Sequence, residues 1–149
     1  ILPDRKYTRR EDCSFLLSAY LPLFRYNGAT SVAKPNIIYI LLDDAGYGDL
    51  SCYGQKKFLT PNIDRLASEG MKFTNHYSGS TVCAPTRSVI MSGLHTGHTP
   101  SRGNREIRPV GQFPIPAGTF TIAEALKNAG YVTGAFGKWG LGNPGSEGD

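Results

Sequence analysis

Asn36-Ile37-Ile38-Tyr39-Ile40-Leu41-Leu42 runs directly into Asp43-Asp44-Ala45-Gly46-Tyr47-Gly48-Asp49. The first part is apolar almost throughout and rich in β-branched side chains. A run of that kind suits a strand covered on both faces, as in a parallel sheet. Asp43 and Asp44 stand at its carboxyl end, the edge where open α/β sheets gather their ligands. Two adjacent carboxylates repel unless a cation or an arginine faces them. Hard oxygen donors of this kind suit Ca2+ or Mg2+. In isolation a plain turn, with both aspartates capping the next segment, fits the same residues equally well.

Outward from that run the chain alternates helix and strand signals. Thr60-Pro61-Asn62-Ile63-Asp64-Arg65-Leu66-Ala67-Ser68-Glu69-Gly70 carries a cap, a proline suited to the first turn and a closing glycine. Ile63, Leu66 and Ala67 give it an apolar stripe. Residues 71–77 read as a short strand. Thr121-Ile122-Ala123-Glu124 is a capping box that opens a helix ending at Gly130. Tyr131 to Phe136 reads as the next strand, and Gly137-Lys138-Trp139 follows at its carboxyl end. Strands alternating with helices predict an α/β fold, a mostly parallel sheet flanked by helices and joined by right-handed crossovers.

Between these elements lies Cys83-Ala84-Pro85-Thr86-Arg87, continuing as Ser88-Val89-Ile90-Met91-Ser92-Gly93. Pro85 fits the first turn of a helix and Gly93 fits its end. Cys83 is then at or just before the helix N-terminus, where free N–H groups and the dipole attract anions. Arg87 follows four positions later, one helical turn on, and shares its face. A reactive atom, a fixed cation and N–H donors converge on a volume suited to a tetrahedral anion such as sulfate or phosphate. A buried structural cysteine beside a surface arginine is the plain alternative for this pentapeptide taken alone. A cysteine-dependent phosphatase would place Cys and Arg six apart, and position 89 is Val, so that reading fails.

The 149 residues suffice for one modest domain, and 40% hydrophobic with 19% charged residues is ordinary globular composition. From Lys34 onward 11 basic residues face 9 acidic ones, without a basic run, which leaves nucleic-acid binding unsupported. Three cysteines match no zinc spacing. Residues 1–33 differ: a basic stretch from Arg5 to Arg10, an apolar run from Cys13 to Phe24, then Ser31-Val32-Ala33 as a small-x-small cleavage site. That is the layout of a secretory signal peptide, and the apolar run is too short to span a membrane. A disordered extension is the alternative for 1–33. The loop-rich span from Leu94 to Gly118 holds His95, His98, Arg102, Arg105 and Arg108, whose arginines could draw in an anionic substrate.

From Lys34 on, the sequence resembles the type I sulfatases, the formylglycine-dependent arylsulfatase family. Three blocks carry the resemblance: Pro35-Asn36 through Asp43-Asp44 to Leu50, Cys83-Ala84-Pro85-Thr86-Arg87 with Ser92-Gly93, and Gly130-Tyr131-Val132-Thr133-Gly134 running to Gly137-Lys138-Trp139-Gly140-Leu141-Gly142. The resemblance implies an alkaline-phosphatase-like fold and sulfate-ester hydrolysis. It implies that Cys83 is converted by a formylglycine-generating enzyme. The hydrated aldehyde is then a gem-diol whose hydroxyl attacks the sulfur of a sulfated small molecule or glycan. Asp43, Asp44 and modified Cys83 would bind Ca2+, with Mg2+ the alternative. Arg87 would steady the formylglycine, and Lys138 would contact the sulfate oxygens. An oxygen at position 83 also matches a hard cation better than a thiolate does.

The resemblance spans residues 34–149 as the N-terminal part of a catalytic domain. The family completes its metal site and its catalytic His and Lys later in the chain, so the expected architecture is truncated and inactive alone. If residues 1–33 are a signal, the protein is secreted, periplasmic or lysosomal, with no membrane span. One departure stands out: the family often has His where this chain has Gly140, so either another residue substitutes, for which His95 and His98 are the candidates, or the subgroup works differently. Two other readings use the same residues. One is a phosphatase or phosphonate monoester hydrolase of the same superfamily, and the other a non-catalytic, sulfated-glycan-binding or regulatory fragment in which Cys83 is unconverted.

Overall fold

Local signals in the sequence start and stop each of the helices. A computed structural model describes residues 33–107 and 111–148, which form two compact units, one ending at Tyr77 and one beginning at Ser78. Residues 1–32 of the signal-like segment 1–33, and Arg108, lie outside the described residues. Helix α1 spans Pro61–Glu69, α2 spans Cys83–Ser92 and α3 spans Ile122–Asn128. Among the described residues no helix is long and apolar enough to cross a membrane.

In the unit ending at Tyr77, Pro61 opens α1 and Gly70 closes it, its N–H donating to the Leu66 carbonyl at 2.9 Å. Thr60 occupies the N-cap, yet its hydroxyl does not cap the helix. It accepts the Ser51 N–H at 3.0 Å and donates to Asp64 Oδ1 at 3.0 Å. Ser51 Oγ donates to Asp64 Oδ2 at 2.5 Å, so two hydroxyls hold one carboxylate and tie α1 to the turn at Ser51–Tyr53. Above that turn Leu50 is buried against Leu42, Tyr47, Cys52, Tyr53 and Ile63. Burying such an apolar cluster is the main favourable term available to a unit this small. The Tyr47 and Tyr53 rings meet edge to face at 4.7 Å, an arrangement the ring quadrupoles favour.

In the unit beginning at Ser78, Val82 precedes α2 and Gly93 ends it at φ 68, the left-handed conformation expected of a C-terminal glycine. The buried face of α2 is small and partly polar: Ala84, Pro85, Thr86 and Ser88. Ser88 Oγ pairs with Thr99 Oγ1 at 2.6 Å and accepts the Ser101 N–H at 3.1 Å, so the buried hydroxyls satisfy one another. Thr86 Oγ1 donates to the Ser80 carbonyl at 3.0 Å, pinning the chain that leads into the helix. Ala84, Ile115 and Leu141 form the core here, with Met91 and Trp139 packed against it. The capping box at α3 is complete, Thr121 and Glu124 each closing the other's backbone N–H.

The expected strands differ from what is observed. Among the described residues, β-pairing amounts to one isolated antiparallel bridge, Glu106 with Gln112. The runs at 36–42, 71–77 and 131–136 carry no ladder. A strand exists only through its neighbours' hydrogen bonds, and a parallel strand needs its faces covered as well. Here Ile38 is 77% exposed, Val132 102% and Phe136 99%. Among the described residues the apolar runs are present, and no neighbour pairs with them to make a sheet.

Candidate active site

Helix α2 presents Cys83 as its first residue and Arg87 one turn later. Pro85 at the third position has no N–H and so adds no unsatisfied donor of its own to the first turn. Arg87 is drawn toward the chain after α3: its Nη1 donates to the backbone carbonyl of Lys138. Lys138 itself is exposed, on a segment flanked by Gly137 at φ 93 and Gly140 at φ 72. That segment is anchored from both sides. Trp139 Nε1 donates to the Gly148 carbonyl at 2.7 Å, and the Leu141 carbonyl accepts the Ile115 N–H at 2.9 Å. Leu141 is fully buried. Cys83, Arg87 and Lys138 thus belong to one unit, and Arg87 and Lys138 are in direct contact.

A further residue meets Cys83. Asn104 Nδ2 lies 3.4 Å from Sγ, while Oδ1 lies 3.6 Å from Sγ and accepts the Ala84 N–H at 3.1 Å. Nothing in the spacing of the sequence points to it. Gly103-Asn104 reads as turn chemistry, and the contact spans 21 positions of irregular chain. Of the two free cysteines among the described residues, Cys52 is the less suited to reaction. Burial pushes its thiol up, and the charge and hydrogen bond of Asp64 push it further. His95 and His98 pack edge to face at 4.6 Å, and His95 Nδ1 accepts the Gly97 N–H at 2.9 Å.

Asp43 and Asp44 belong to the unit ending at Tyr77, where both carboxylates are exposed. Asp44 is the one described non-glycine residue at positive φ, 56. Asp tolerates that conformation better than most residues, and strain of this kind collects at functional positions. Among the described residues no group of three or more His, Cys, Asp or Glu side chains is gathered for a metal ion. The adjacent pair fits a hard cation in part. Its carboxylates offer oxygens of the right type, while Ca2+ takes roughly six to eight oxygen ligands. Cys83 as a thiol is the wrong kind of ligand for the same ion.

Comparison with known proteins gives this geometry its context. A profile of the Sulfatase family matches residues 35–148. The chain is 48% identical to an N-acetylgalactosamine-6-O-sulfatase of Bacteroides thetaiotaomicron, over 78% of this chain and 22% of that protein. It is 42% identical to human arylsulfatase D, over 78% of this chain and 20% of that protein, and 40% identical to human steryl-sulfatase, over 75% and 20%. The chain spans about a fifth of the length of the curated relatives it matches. The family implies an alkaline-phosphatase-like α/β fold, of which the described residues hold helices and the apolar runs but no sheet. With the match running from just after the signal-like segment almost to the last residue, and through Cys83, Arg87 and Lys138 on the way, the chain belongs to the sulfatase family.

Proposed function

We propose that this chain is the N-terminal part of a sulfuric ester hydrolase, and that Cys83, as formylglycine, is its nucleophile. What supports the reading most is one arrangement inside a Sulfatase-family match: Cys83 at the start of α2, Arg87 one turn on, and Arg87 bonded to the backbone of Lys138. The start of α2 and the two cations make a region of positive potential, suited to the negatively charged oxygens of a sulfate ester. Asp43 and Asp44 would hold Ca2+, or Mg2+, which when bound supplies positive charge that favours ionisation of a nearby hydroxyl.

The residues of the chain divide the remaining work. Position 83 carries the hydrated aldehyde. One hydroxyl loses its proton and its oxygen bonds to sulfur, while the bond from sulfur to the alcohol oxygen breaks and the alcohol leaves with a proton. The second hydroxyl then gives up its proton, the aldehyde re-forms, and the carbon–oxygen bond to sulfate breaks. Arg87, held by the Lys138 carbonyl, keeps a fixed positive charge beside position 83. The Lys138 ammonium reaches the sulfate oxygens as a point charge on a flexible stem. The names of the relatives favour a sulfated sugar or small alcohol as substrate. Residues 1–33, as a signal, would direct the protein to a secreted, periplasmic or lysosomal location.

Mass spectrometry of the peptide containing position 83 tests the nucleophile. Co-expression of the complete protein with a formylglycine-generating enzyme is expected to lower the mass of that peptide by about 18 Da, the difference between thiol and aldehyde side chains. An unmodified thiol in a protein that still cleaves sulfate esters would remove Cys83 from this role.

A further inference from the structure

Asn104 lies outside every motif of the sequence and outside the catalytic set proposed above, yet its carboxamide makes contact at both ends with the start of α2. Oδ1 accepts the Ala84 N–H at 3.1 Å, and Nδ2 stands 3.4 Å from Cys83 Sγ, with Oδ1 at 3.6 Å from the same atom. The orientation of this amide follows from chemistry. A backbone N–H can only donate, so the end facing Ala84 must be the oxygen. The other end, with its two N–H donors, is thereby turned to the side chain of residue 83. The grip also resolves a local need, because the first N–H groups of a helix have no partner within it, and Val82 at the N-cap offers no side-chain acceptor.

We propose that Asn104 is a positioning residue for the nucleophile. It caps α2 from a distant loop and, through the same planar group, directs an N–H donor at the reacting atom of position 83. The proposal rests on the assignment of Cys83 as the nucleophile. Sulfur is a weak acceptor, whereas an oxygen at this position is a strong one and becomes stronger as it loses its proton. The donor therefore gains strength as that oxygen loses its proton, and so favours the ionised hydroxyl that attacks sulfur.

Two substitutions separate the two ends of the amide. Asn104→Asp keeps an acceptor for Ala84 and puts negative charge where the helix dipole favours it, but it removes the donor. Asn104→Ala removes both. In the complete protein, site-resolved amide exchange at Ala84 is expected to stay slow in Asn104→Asp and to quicken in Asn104→Ala. With 4-nitrophenyl sulfate, both variants are expected to lose about tenfold to a hundredfold in kcat with KM within about twofold of wild type, the scale of a hydrogen bond to a charged group. Wild-type kcat in Asn104→Asp would overturn the proposal. So would a loss confined to KM, which would make Asn104 a substrate contact. Unchanged exchange at Ala84 in Asn104→Ala would overturn it as well. If the wild-type protein cleaves no sulfate ester, the functional reading fails separately, and exchange at Ala84 alone decides whether the grip exists.

Discussion

Gly140 lies against the side chain of Arg87: a Cβ added at position 140 would stand 3.2 Å from Arg87 Cδ and 3.7 Å from Nε. The glycine also sits at φ 72, where a side chain is strained whatever the space around it. The histidine that the family resemblance leads one to expect at this point would not fit here without moving the arginine or the backbone. Gly140→His is therefore expected to lower turnover and not to raise it, and Gly140→Ala to cost about 1–2 kcal/mol of stability through the left-handed backbone alone. Turnover and denaturant unfolding of the two variants check this. A gain in turnover from Gly140→His would mean that the backbone adapts freely.

Asp44 would join the proposed demand of a Ca2+ ligand to a conformational one. Its positive φ, 56, is one that Asn adopts at least as readily as Asp, whereas Ala does not. Asp44→Asn should leave stability unchanged while weakening Ca2+ binding at least about tenfold, since a neutral amide replaces a hard anion. Asp44→Ala should lose the ion and also about 1 kcal/mol of stability. Calorimetric Ca2+ titration together with thermal unfolding separates the two effects. Equal stability of the two variants would refute the conformational half.

The hydroxyl cluster under α2 is buried and fully used. Ser88, 2% exposed, meets Thr99 and the Ser101 N–H, so Ser88→Ala leaves buried polar groups short of a partner. The expected loss is about 1–3 kcal/mol of unfolding free energy. Ser92 donates to the Ser88 carbonyl from a less buried position, and Ser92→Ala should cost about 1 kcal/mol or less. Chemical denaturation that ranks them the other way would contradict this account of the core.

Asp64 sets an acid limit. The Ser51 hydroxyl first, then Thr60 and Cys52, hold its carboxyl below the ordinary range against a smaller opposing effect of burial. A carboxyl lowered by folding stabilises the protein above its unfolded value, and that contribution fades as pH falls through the folded value. The thermal midpoint of the wild type should thus drop more steeply below about pH 4 than that of Asp64→Asn. Parallel slopes in the two melting curves would show that the carboxylate is not held.

How much of this was readable in the sequence depends on range. The bounds of α1, α2 and α3 follow from Pro61, Gly70, Gly93 and the Thr121–Glu124 box, because capping acts within a turn. The runs at 36–42 and 131–136 read as strands through their apolar character, but pairing depends on distant neighbours, and Ile38 and Val132 are exposed instead. At the site, the relation of Cys83 to Arg87 is helical spacing and was legible. The bond from Arg87 to Lys138 and the grip of Asn104 join positions 51 and 21 residues apart, which no local pattern encodes. Thr60 shows the converse: a good capping residue by type, its hydroxyl is claimed by Ser51 and Asp64.

The central claim is sulfate-ester cleavage at position 83, and paired substrates test it most directly. The complete protein, co-expressed with a formylglycine-generating enzyme and supplied with Ca2+, should hydrolyse 4-nitrophenyl sulfate far faster than 4-nitrophenyl phosphate, and Cys83→Ala should abolish the sulfate activity. Preference for the phosphate ester, or sulfate turnover that survives Cys83→Ala, would contradict it.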